Sequence, residues 1–196
     1  MEVQTEHIKQ PIYKEENDSN VHSDRSADMP QTTKQKPAFY DVIIGTGFGS
    51  GFWPWGPGTA GAAAATLIWC AYAYLLPVPF AVVNIITLAL IAIFTLLSLR
   101  PIDRLEKSWG EDPSRVVIDE MVGVWIALLA VPPTKEWYYV LAAFILFRIM
   151  DITKPLGCRW LDNNIHGGLG VMLDDMLAGV YAAIVLFIIV IWPIIM

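Results

Sequence analysis

Four or five apolar segments, each with few or no charges, most constrain what this chain can fold into. The second segment, residues 80–99, runs for 20 residues with Asn84 as its only strongly polar member. That length is enough to cross a hydrocarbon core of about 30 Å. The other segments cover about residues 60–76, 116–131, 137–150 and 176–196. Because backbone polar groups in a bilayer must be satisfied internally, the sequence predicts an all-α, polytopic integral-membrane bundle of about five spans.

The distribution of charge divides the chain into two parts. Of its 32 charged residues, 12 lie within the first 36 positions, and the whole chain is 16% charged, against about 25% in soluble domains. Residues 1–37 mix acidic and basic residues and lack an apolar core, so we expect a disordered polar tail on the cytoplasmic side. The mixed signs argue against a nucleic-acid-binding arm. Residues 38–196 are expected to form the membrane-embedded domain.

The basic residues are distributed unequally between the two ends of the predicted spans. With the tail inside the cell, nine basic residues from Lys34 onward fall on the cytoplasmic side, and only Lys135 falls on the other. This positive-inside pattern supports five spans with a cytoplasmic N-terminus. The same topology places eight ionisable residues at the cytoplasmic face: Asp119, Glu120, Arg148, Asp151, Lys154, His166, Asp174 and Asp175. Ionisable residues at this depth are candidates for function.

An acidic pair, Asp119 and Glu120, stands near the start of the third segment in "VVIDEMVGVW". Adjacent helical residues are about 100° apart, so the two carboxylates are not expected to point in one direction. Glu120 shares a helix face with Gly123, which allows another backbone or a ligand to approach closely. The alternative is an acidic cap at a helix N-terminus, where negative charge is favoured.

A charged stripe follows in "FRIMDITKP", where Arg148, Asp151 and Lys154 recur every three residues. Such spacing places side chains on one face of a helix. Pro155 disfavours helix at the preceding residue, so Lys154 is expected to point from the helix end. The alternative is a snorkelling cluster at the membrane interface with an internal salt bridge.

A third polar cluster lies in "HGGLGVMLDDMLAG", before the last apolar segment. Gly167 and Gly168 follow His166 in a predicted turn, where backbone N–H groups can face an anion beside a helix N-terminus. Asp174 and Asp175 come in the first turns of that helix, and small residues share a face with Asp175. His166 has an equally good interpretation as a structural histidine.

The Gly-rich stretch "GTGFGSGFWPWGPGTAG", residues 45–61, lacks the Gly-Lys-Ser/Thr sequence of a Walker loop. Irregular backbone beside a membrane helix is tolerated where it is buried in protein or lines a wet cavity. One interpretation is a re-entrant loop that includes Gly58 and Thr59 and offers N–H groups to a phosphate. The other, for residues 61–65, is that small residues pack helices together.

Taken together, these clusters combine carboxylates, a lysine, an arginine, one histidine and glycine loops. Clustered carboxylates without Cys or His pairs select a hard cation, above all Mg²⁺. Mg²⁺ beside Lys and Arg at headgroup depth suits phosphoryl chemistry on a lipid, because these cations offset phosphate charge. A Cys-x₅-Arg phosphatase loop is absent, since Asn164 stands six residues after Cys158 and Leu76 six residues after Cys70.

Four motifs, "GFGSG…PGTAG", "DEMVG", "RIMDITKP" and "DNNIHGGLGVMLDDMLAG", closely resemble those of the phosphatidylglycerophosphatase A family and occur in the same order. The resemblance covers about residues 39–192. It implies a Mg²⁺-dependent membrane phosphatase of bacterial phospholipid synthesis, which converts phosphatidylglycerophosphate to phosphatidylglycerol. It also implies a phospholipid substrate in the bacterial cytoplasmic membrane and an active site that faces the cytoplasm.

The family's acidic motif positions carry over onto this sequence, and the role of each residue is then assigned from its chemistry. The expected catalytic acids are Asp119, Glu120, Asp151, Asp174 and Asp175. The expected metal ligands are Glu120, Asp151 and Asp175, while Asp119 or Asp174 would position water or act as a base. The expected substrate-binding residues are Arg148, Lys154, Gly58, Thr59, Gly167 and Gly168. His166 is expected to donate a proton to the leaving glycerol oxygen.

Direct attack by water is the expected mechanism, and an aspartyl-phosphate intermediate is the alternative. The exact lipid, the number of metal ions and the oligomeric state stay open. The alternative function is an ion- or proton-coupled transporter, with Asp119, Glu120 and Asp151 as its path. The charges gather at one face rather than at the midplane, and no internal repeat is visible, so the enzyme is favoured.

Overall fold

The computed structural model describes residues 36–110, 113–155, 157, 158, 161, 164, 165 and 167–195. The predicted tail, residues 1–37, lies almost entirely outside them. The described residues form six α-helices and one 3₁₀ turn, Ser50–Phe52, with no strand, so the predicted all-α class is confirmed for this part of the chain. The helices are α1 (Phe39–Gly45), α2 (Pro57–Leu75), α3 (Phe80–Trp109), α4 (Ile118–Leu128), α5 (Trp137–Thr153) and α6 (Gly168–Ile195).

Prolines mark several helix boundaries. Pro57 opens α2, and Pro79 directly precedes α3. Proline fits these positions because its missing N–H would have no partner within the first turn. At the C-terminal end of α5, Lys154 is the first residue after the helix. It has a left-handed φ of 43° and directly precedes Pro155. The expectation that Lys154 projects from the helix end is therefore confirmed.

Helix α4 is the centre of the bundle. It packs against α2, α3, α5 and α6, and nine of its eleven residues are buried. Trp125 donates its indole N–H to the carbonyl oxygen of Ala65 at 3.0 Å, which ties α4 to α2. Eleven residues at 1.5 Å each give a helix of about 17 Å, well short of a hydrocarbon core of about 30 Å.

Two of the described helices are long and apolar enough to cross a membrane by length and composition, Phe80–Trp109 and Gly168–Trp192. Only 17% and 28% of their most apolar windows are buried within the protein, so most of this apolar surface faces outward. The expectation of five spans is met by two helices on this criterion, and the other three spans are not confirmed. The short length of α4 is one physical reason for the difference.

The Gly-rich segment between α1 and α2 packs against the start of α4. The N–H of Val117 donates to the carbonyl oxygen of Gly45 at 2.9 Å. A Cβ atom on Gly51 would overlap the carbonyl oxygen of Arg115. Gly47 has a φ of 52°, a left-handed conformation that glycine adopts without strain. The segment fixes the end of α4 that carries the acidic pair, and a re-entrant loop is not confirmed.

Candidate active site

A cavity of about 160 Å³ lies where the N-terminal part of α4 meets the C-terminal end of α5 and the early turns of α6. Its lining consists of Asp119, Glu120, Asp151, Lys154, Val171, Asp174 and Asp175. All six polar residues in this lining are among the site residues predicted from the sequence. The structure therefore brings acids from three separate helices, and one lysine, to a single chamber.

Glycine packing between α4 and α6 brings the acids together. A Cβ atom on Gly123 would lie 2.7 Å from the carbonyl oxygen of Asp175, and one on Gly179 would overlap the carbonyl oxygen of Gly123. Side chains larger than hydrogen would push the two helices apart. The close approach expected at Gly123 is confirmed, and its consequence is that Asp175 faces the first turn of α4.

Three carboxylates form the centre of the cavity. Asp119, Glu120 and Asp175 each offer an oxygen atom, and these atoms all lie within 4.8 Å of one another. Asp119 and Asp175 are buried, whereas Glu120 is half-buried. The sequence prediction that the side chains of Asp119 and Glu120 point in different directions is wrong, because their carboxylate oxygens lie close together. Helix spacing fixes the Cα–Cβ directions, and the side chains of the first turn still converge on the cavity.

The three clustered carboxylates, those of Asp119, Glu120 and Asp175, have the chemistry of a metal site. One oxygen of Glu120 (Oε2) and one of Asp175 (Oδ2) are buried and have no hydrogen-bond partner among the described residues. Buried anionic oxygens at this separation are costly unless a cation binds them. An all-oxygen set of carboxylates is the donor type that hard divalent cations prefer. The described residues therefore fit a metal ion held between α4 and α6.

Asp151 lies in the same cavity but has a different partner. Its Oδ2 atom forms an ion pair with the Arg148 guanidinium at 2.6 Å, one turn earlier on α5. The predicted one-face stripe is thus observed for these two residues. Whereas the sequence prediction grouped Asp151 with Glu120 and Asp175, the structure places Asp119 in the tight group. The ion pair with Arg148 is the physical reason for the difference.

Lys154 links α5 to α6. Its Nζ atom lies 2.6 Å from Oδ2 of Asp174, whose side chain is almost fully buried. Lys154 also lines the cavity, so its ammonium lies beside the carboxylate group. Arg148 and Lys154 were both predicted to hold phosphate, and the structure shows each of them paired with an aspartate of the cavity. Lys154 is the one of the two that borders the cavity directly.

The two predicted residues of the Gly-rich stretch lie at the edge of the site. A Cβ atom on Gly58 would overlap Oε1 of Glu120 and would lie 3.4 Å from Nη1 of Arg148. Gly58 is therefore a close neighbour of the carboxylate group, although it does not line the cavity. Thr59, the next residue, lines a separate groove on the other side of α2.

The predicted phosphate-binding turn before α6 has another role in the structure. The N–H of Gly168 donates to Oδ1 of Asp103 at 2.7 Å, and Gly167 has a left-handed φ of 76°. A carboxylate thus occupies the position where the sequence prediction placed a phosphate, and neither glycine lines the cavity. The third residue of this prediction, His166, lies outside the described residues. Asp103 was missed because no motif or spacing connects it with a helix 65 residues later.

Cys158 lies beside the cavity without the properties of a nucleophile. Its thiol is buried, and Sγ lies 3.9 Å from the carbonyl oxygen of Asp174. Burial raises the pKa of this thiol to about 11, and the negative charge of Asp174 acts in the same direction. The thiolate is the reactive form of cysteine, so Cys158 is inert at neutral pH. This agrees with the absence of a cysteine-phosphatase loop.

Comparison with known proteins connects the site to a family. The family profile described as phosphatidylglycerophosphatase A matches residues 43–190. Phosphatidylglycerophosphatase A of Escherichia coli (strain K12) is 39% identical over 146 residues, which cover 74% of this chain and 80% of that protein. Its counterpart of the same name from Haemophilus influenzae is 39% identical over 151 residues, 76% of this chain and 88% of that protein. A Bacteroides thetaiotaomicron protein named "Putative phosphatidylinositol-3-phosphatase" is 58% identical over 153 residues, 78% of this chain and 94% of that protein. No solved structure matches the chain.

Proposed function

Because the chain belongs to the phosphatidylglycerophosphatase A family and is therefore a phosphatase, we propose that it hydrolyses phosphatidylglycerophosphate to phosphatidylglycerol in a Mg²⁺-dependent reaction. The observation that carries this proposal is the group of three carboxylates, with oxygen atoms within 4.8 Å of one another, inside the region matched to the family. The names of the relatives specify phosphatases, so the transporter alternative receives no support.

In this proposal Asp119, Glu120 and Asp175 would hold the Mg²⁺ ion. When bound, Mg²⁺ offsets the negative charge on the phosphate oxygens. Lys154 adds a positive charge at the wall of the same cavity, where it can stabilise the negative charge that develops on the phosphate in the transition state. Arg148 does not line the cavity, and its ion pair with Asp151 makes it a positioning residue for that carboxylate.

Two carboxylates of the cavity remain, and since Asp151 is paired with Arg148, Asp174 is the proposed general base. A water oxygen forms a bond to phosphorus, and one proton of that water passes to Asp174. The bond between phosphorus and the glycerol oxygen breaks, and the glycerol oxygen takes up a proton. Lys154, 2.6 Å from Oδ2 of Asp174, fixes the orientation of the base. The earlier prediction that His166 supplies the proton to glycerol stays a prediction.

The proposed location is the bacterial cytoplasmic membrane, with the cavity at the cytoplasmic face. The outward apolar surface of α3 and α6 supports a lipid environment. The N–H of Gly168 reaches Asp103, so the C-terminal end of α3 lies beside the start of α6. Exposed basic residues cluster at this end of α3: Arg100, Arg104 and Lys107. Their charge agrees with a cytoplasmic position.

Orientation can be tested by labelling one engineered cysteine. A Lys107→Cys variant should react with a membrane-impermeant maleimide in inside-out vesicles and stay unlabelled in intact cells. Labelling in intact cells, at a level equal to that of a known external cysteine, would overturn the orientation. The parent protein, whose cysteines are Cys70 and Cys158, is the control for background labelling.

The activity is tested with purified protein in detergent micelles that contain phosphatidylglycerophosphate. Phosphate release should require Mg²⁺, stop with EDTA, and fall by at least about a hundredfold in Glu120→Gln, because one metal ligand loses its charge. Glu136→Gln is the matched control, since Glu136 is an exposed acid next to the N-terminal end of α5. The proposal fails if no Mg²⁺-dependent release occurs, or if both variants behave alike.

A second substrate is suggested by one of the relatives. The Bacteroides protein, 58% identical to this chain, is named for action on phosphatidylinositol 3-phosphate. That lipid also presents a phosphate monoester at the membrane surface, so the same cavity chemistry would serve it. Parallel assays with both lipids at equal surface concentration separate the two substrates. A higher kcat/KM for phosphatidylglycerophosphate is expected, and the reverse order would reassign the substrate.

A further inference from the structure

The N-terminal end of α6 is held by a residue of α3. Helix α6 begins at Gly168, and the preceding residue, Gly167, has no side chain with which to cap the helix. The cap comes instead from Asp103, whose Oδ1 atom accepts the N–H of Gly168 at 2.7 Å. A carboxylate is favourable there, because the N-terminal end of a helix carries a partial positive charge. Asp103 therefore fixes the first turn of α6 from a different helix.

Close backbone packing on α3 restricts the movement of this end of α6. A Cβ atom on Gly168 would overlap the carbonyl oxygen of Leu99 and would lie 3.1 Å from Cβ of Ile102. The backbone of α6 thus lies directly against the C-terminal part of α3. The hydrogen bond to Asp103 adds a directional contact, since an N–H···O bond weakens steeply when its angle departs from linear. Together these contacts set the position of α6 beside α3.

Helix α6 transmits this position to the carboxylate cavity. Asp174 and Asp175 line the cavity and lie on the same uninterrupted helix as Gly168. At a rise of 1.5 Å per residue, Asp175 lies about 10 Å along the helix from Gly168. The next fixed point is the close crossing of α4, where Gly123 packs against the backbone of Asp175. If α6 loses its contact with α3, it can tilt and rotate about this crossing, which reorients the carboxylate of Asp175.

We propose that Asp103 is a positioning residue for the carboxylate cavity: it holds the start of α6 against α3 and thereby sets the orientation of Asp175 toward the metal ion. This inference rests on the proposed function, since it takes Asp175 as a metal ligand. Asp103 does not line the cavity, so it acts only through α6. Metal ligands have to be held to within roughly 0.5 Å of their working geometry, so the affinity for metal reports on this role.

The test measures the Kd for Mn²⁺, an ion that replaces Mg²⁺ and gives an electron paramagnetic resonance signal when unbound. Loss of a hydrogen-bond partner of a metal ligand costs roughly 10- to 100-fold in affinity, and Asp103 acts from further away, so Asp103→Ala should raise this Kd about fivefold. Asp103→Asn keeps an acceptor oxygen for the N–H of Gly168, and its Kd should stay within about twofold of the parent value. Parent-like affinity in Asp103→Ala would overturn the positioning role.

The matched control is Tyr72→Phe, which also removes one hydrogen bond between α3 and another helix. The hydroxyl of Tyr72 lies 2.7 Å from Oγ1 of Thr87. Tyr72 is about 21 Å further along α2 than Gly58, the neighbour of Glu120, so the control is remote from the cavity. The Tm in EDTA should fall in both Tyr72→Phe and Asp103→Ala, whereas only Asp103→Ala should lose affinity for Mn²⁺. Equal increases in Kd would show a general loss of stability and overturn the inference.

A longer side chain provides a second variant if Asp103→Ala does not fold. Asp103→Glu keeps the charge and the acceptor, but its extra methylene group pushes the start of α6 away from α3, so the Kd for Mn²⁺ should rise about threefold. An unchanged Kd in that variant would overturn the inference. If the parent protein releases no phosphate while the differences in Mn²⁺ affinity persist, the phosphatase proposal is refuted and the positioning role is supported, so the two failures are distinguishable.

Discussion

Neutralising one carboxylate of the proposed metal group, which consists of Asp119, Glu120 and Asp175, should stabilise the protein without metal and remove its response to metal. Asp175→Asn keeps the size of the side chain and deletes one negative charge from a buried group. In EDTA the variant should therefore melt at a higher temperature than the parent protein. In saturating Mg²⁺ the order should reverse, because the parent protein gains more binding free energy.

The magnitude follows from the distances between the carboxylates. Two unit charges 4.8 Å apart repel by about 3.5 kcal/mol at an effective dielectric constant of about 20. Asp175 has two such neighbours, Asp119 and Glu120. Solvent ions, protons and side-chain movement relieve most of this repulsion, so we expect a net gain of about 1 to 3 kcal/mol. For a chain of this length, each kcal/mol corresponds to roughly 2 to 4 °C in Tm.

The assay is thermal unfolding of the purified protein in detergent, with EDTA and with increasing Mg²⁺. A ligand at about a thousand times its Kd stabilises the parent protein by about 4.1 kcal/mol, which exceeds the gain expected of the variant, and the shift should be much smaller in Asp175→Asn. Glu136→Gln removes an exposed acid and should change neither value. If Asp175→Asn melts below the parent in EDTA and shows the same Mg²⁺ shift, the metal group is not where we place it.

Three further substitutions test the packing and chemistry around the cavity. Gly58→Ala places a methyl group against Glu120, so the Mg²⁺ concentration for half-maximal phosphate release should rise about tenfold, and an unchanged value would contradict that contact. Gly123→Ala forces α4 away from the backbone of Asp175 and should cost about 1 to 3 kcal/mol in thermal unfolding, with a fall in kcat; a stable, active variant would refute the close crossing. Cys158→Ser should keep most of its activity, and thiol alkylation at neutral pH should leave the parent active, because a pKa of about 11 keeps the thiol protonated; inactivation by both would contradict this reasoning.

The helices and most of the cavity could be predicted from the sequence because the signals are local. Long apolar runs gave α2 and α5 to within about three residues of their observed bounds, and they gave the start of α3, which continues to Trp109 instead of ending near residue 99. Asp119, Asp151 and Asp174 each lie near the end of an apolar segment. The predicted membrane topology places these segment ends on the same side, so the three acids could be assigned to one face. The small residues that follow the acids indicated close helix crossings, which the structure shows between α4 and α6.

The pairing of side chains on different helices could not be predicted, because it depends on distances between helices. The salt bridge between Arg148 and Asp151 lies within α5 and was one of the two interpretations of that stripe, whereas the approach of Asp119 to Asp175 was not predicted. The N–H of Gly168 is used by Asp103, a residue on another helix that no motif marks.

The most direct test of the metal group is anomalous X-ray scattering from crystals of the purified protein in which Mn²⁺ replaces Mg²⁺. We expect an anomalous peak at bonding distance from carboxylate oxygens of Asp119, Glu120 and Asp175, and no peak there in crystals of Asp175→Asn. A bound ion elsewhere, with these three carboxylates free of metal in crystals that support phosphate release, would contradict this expectation.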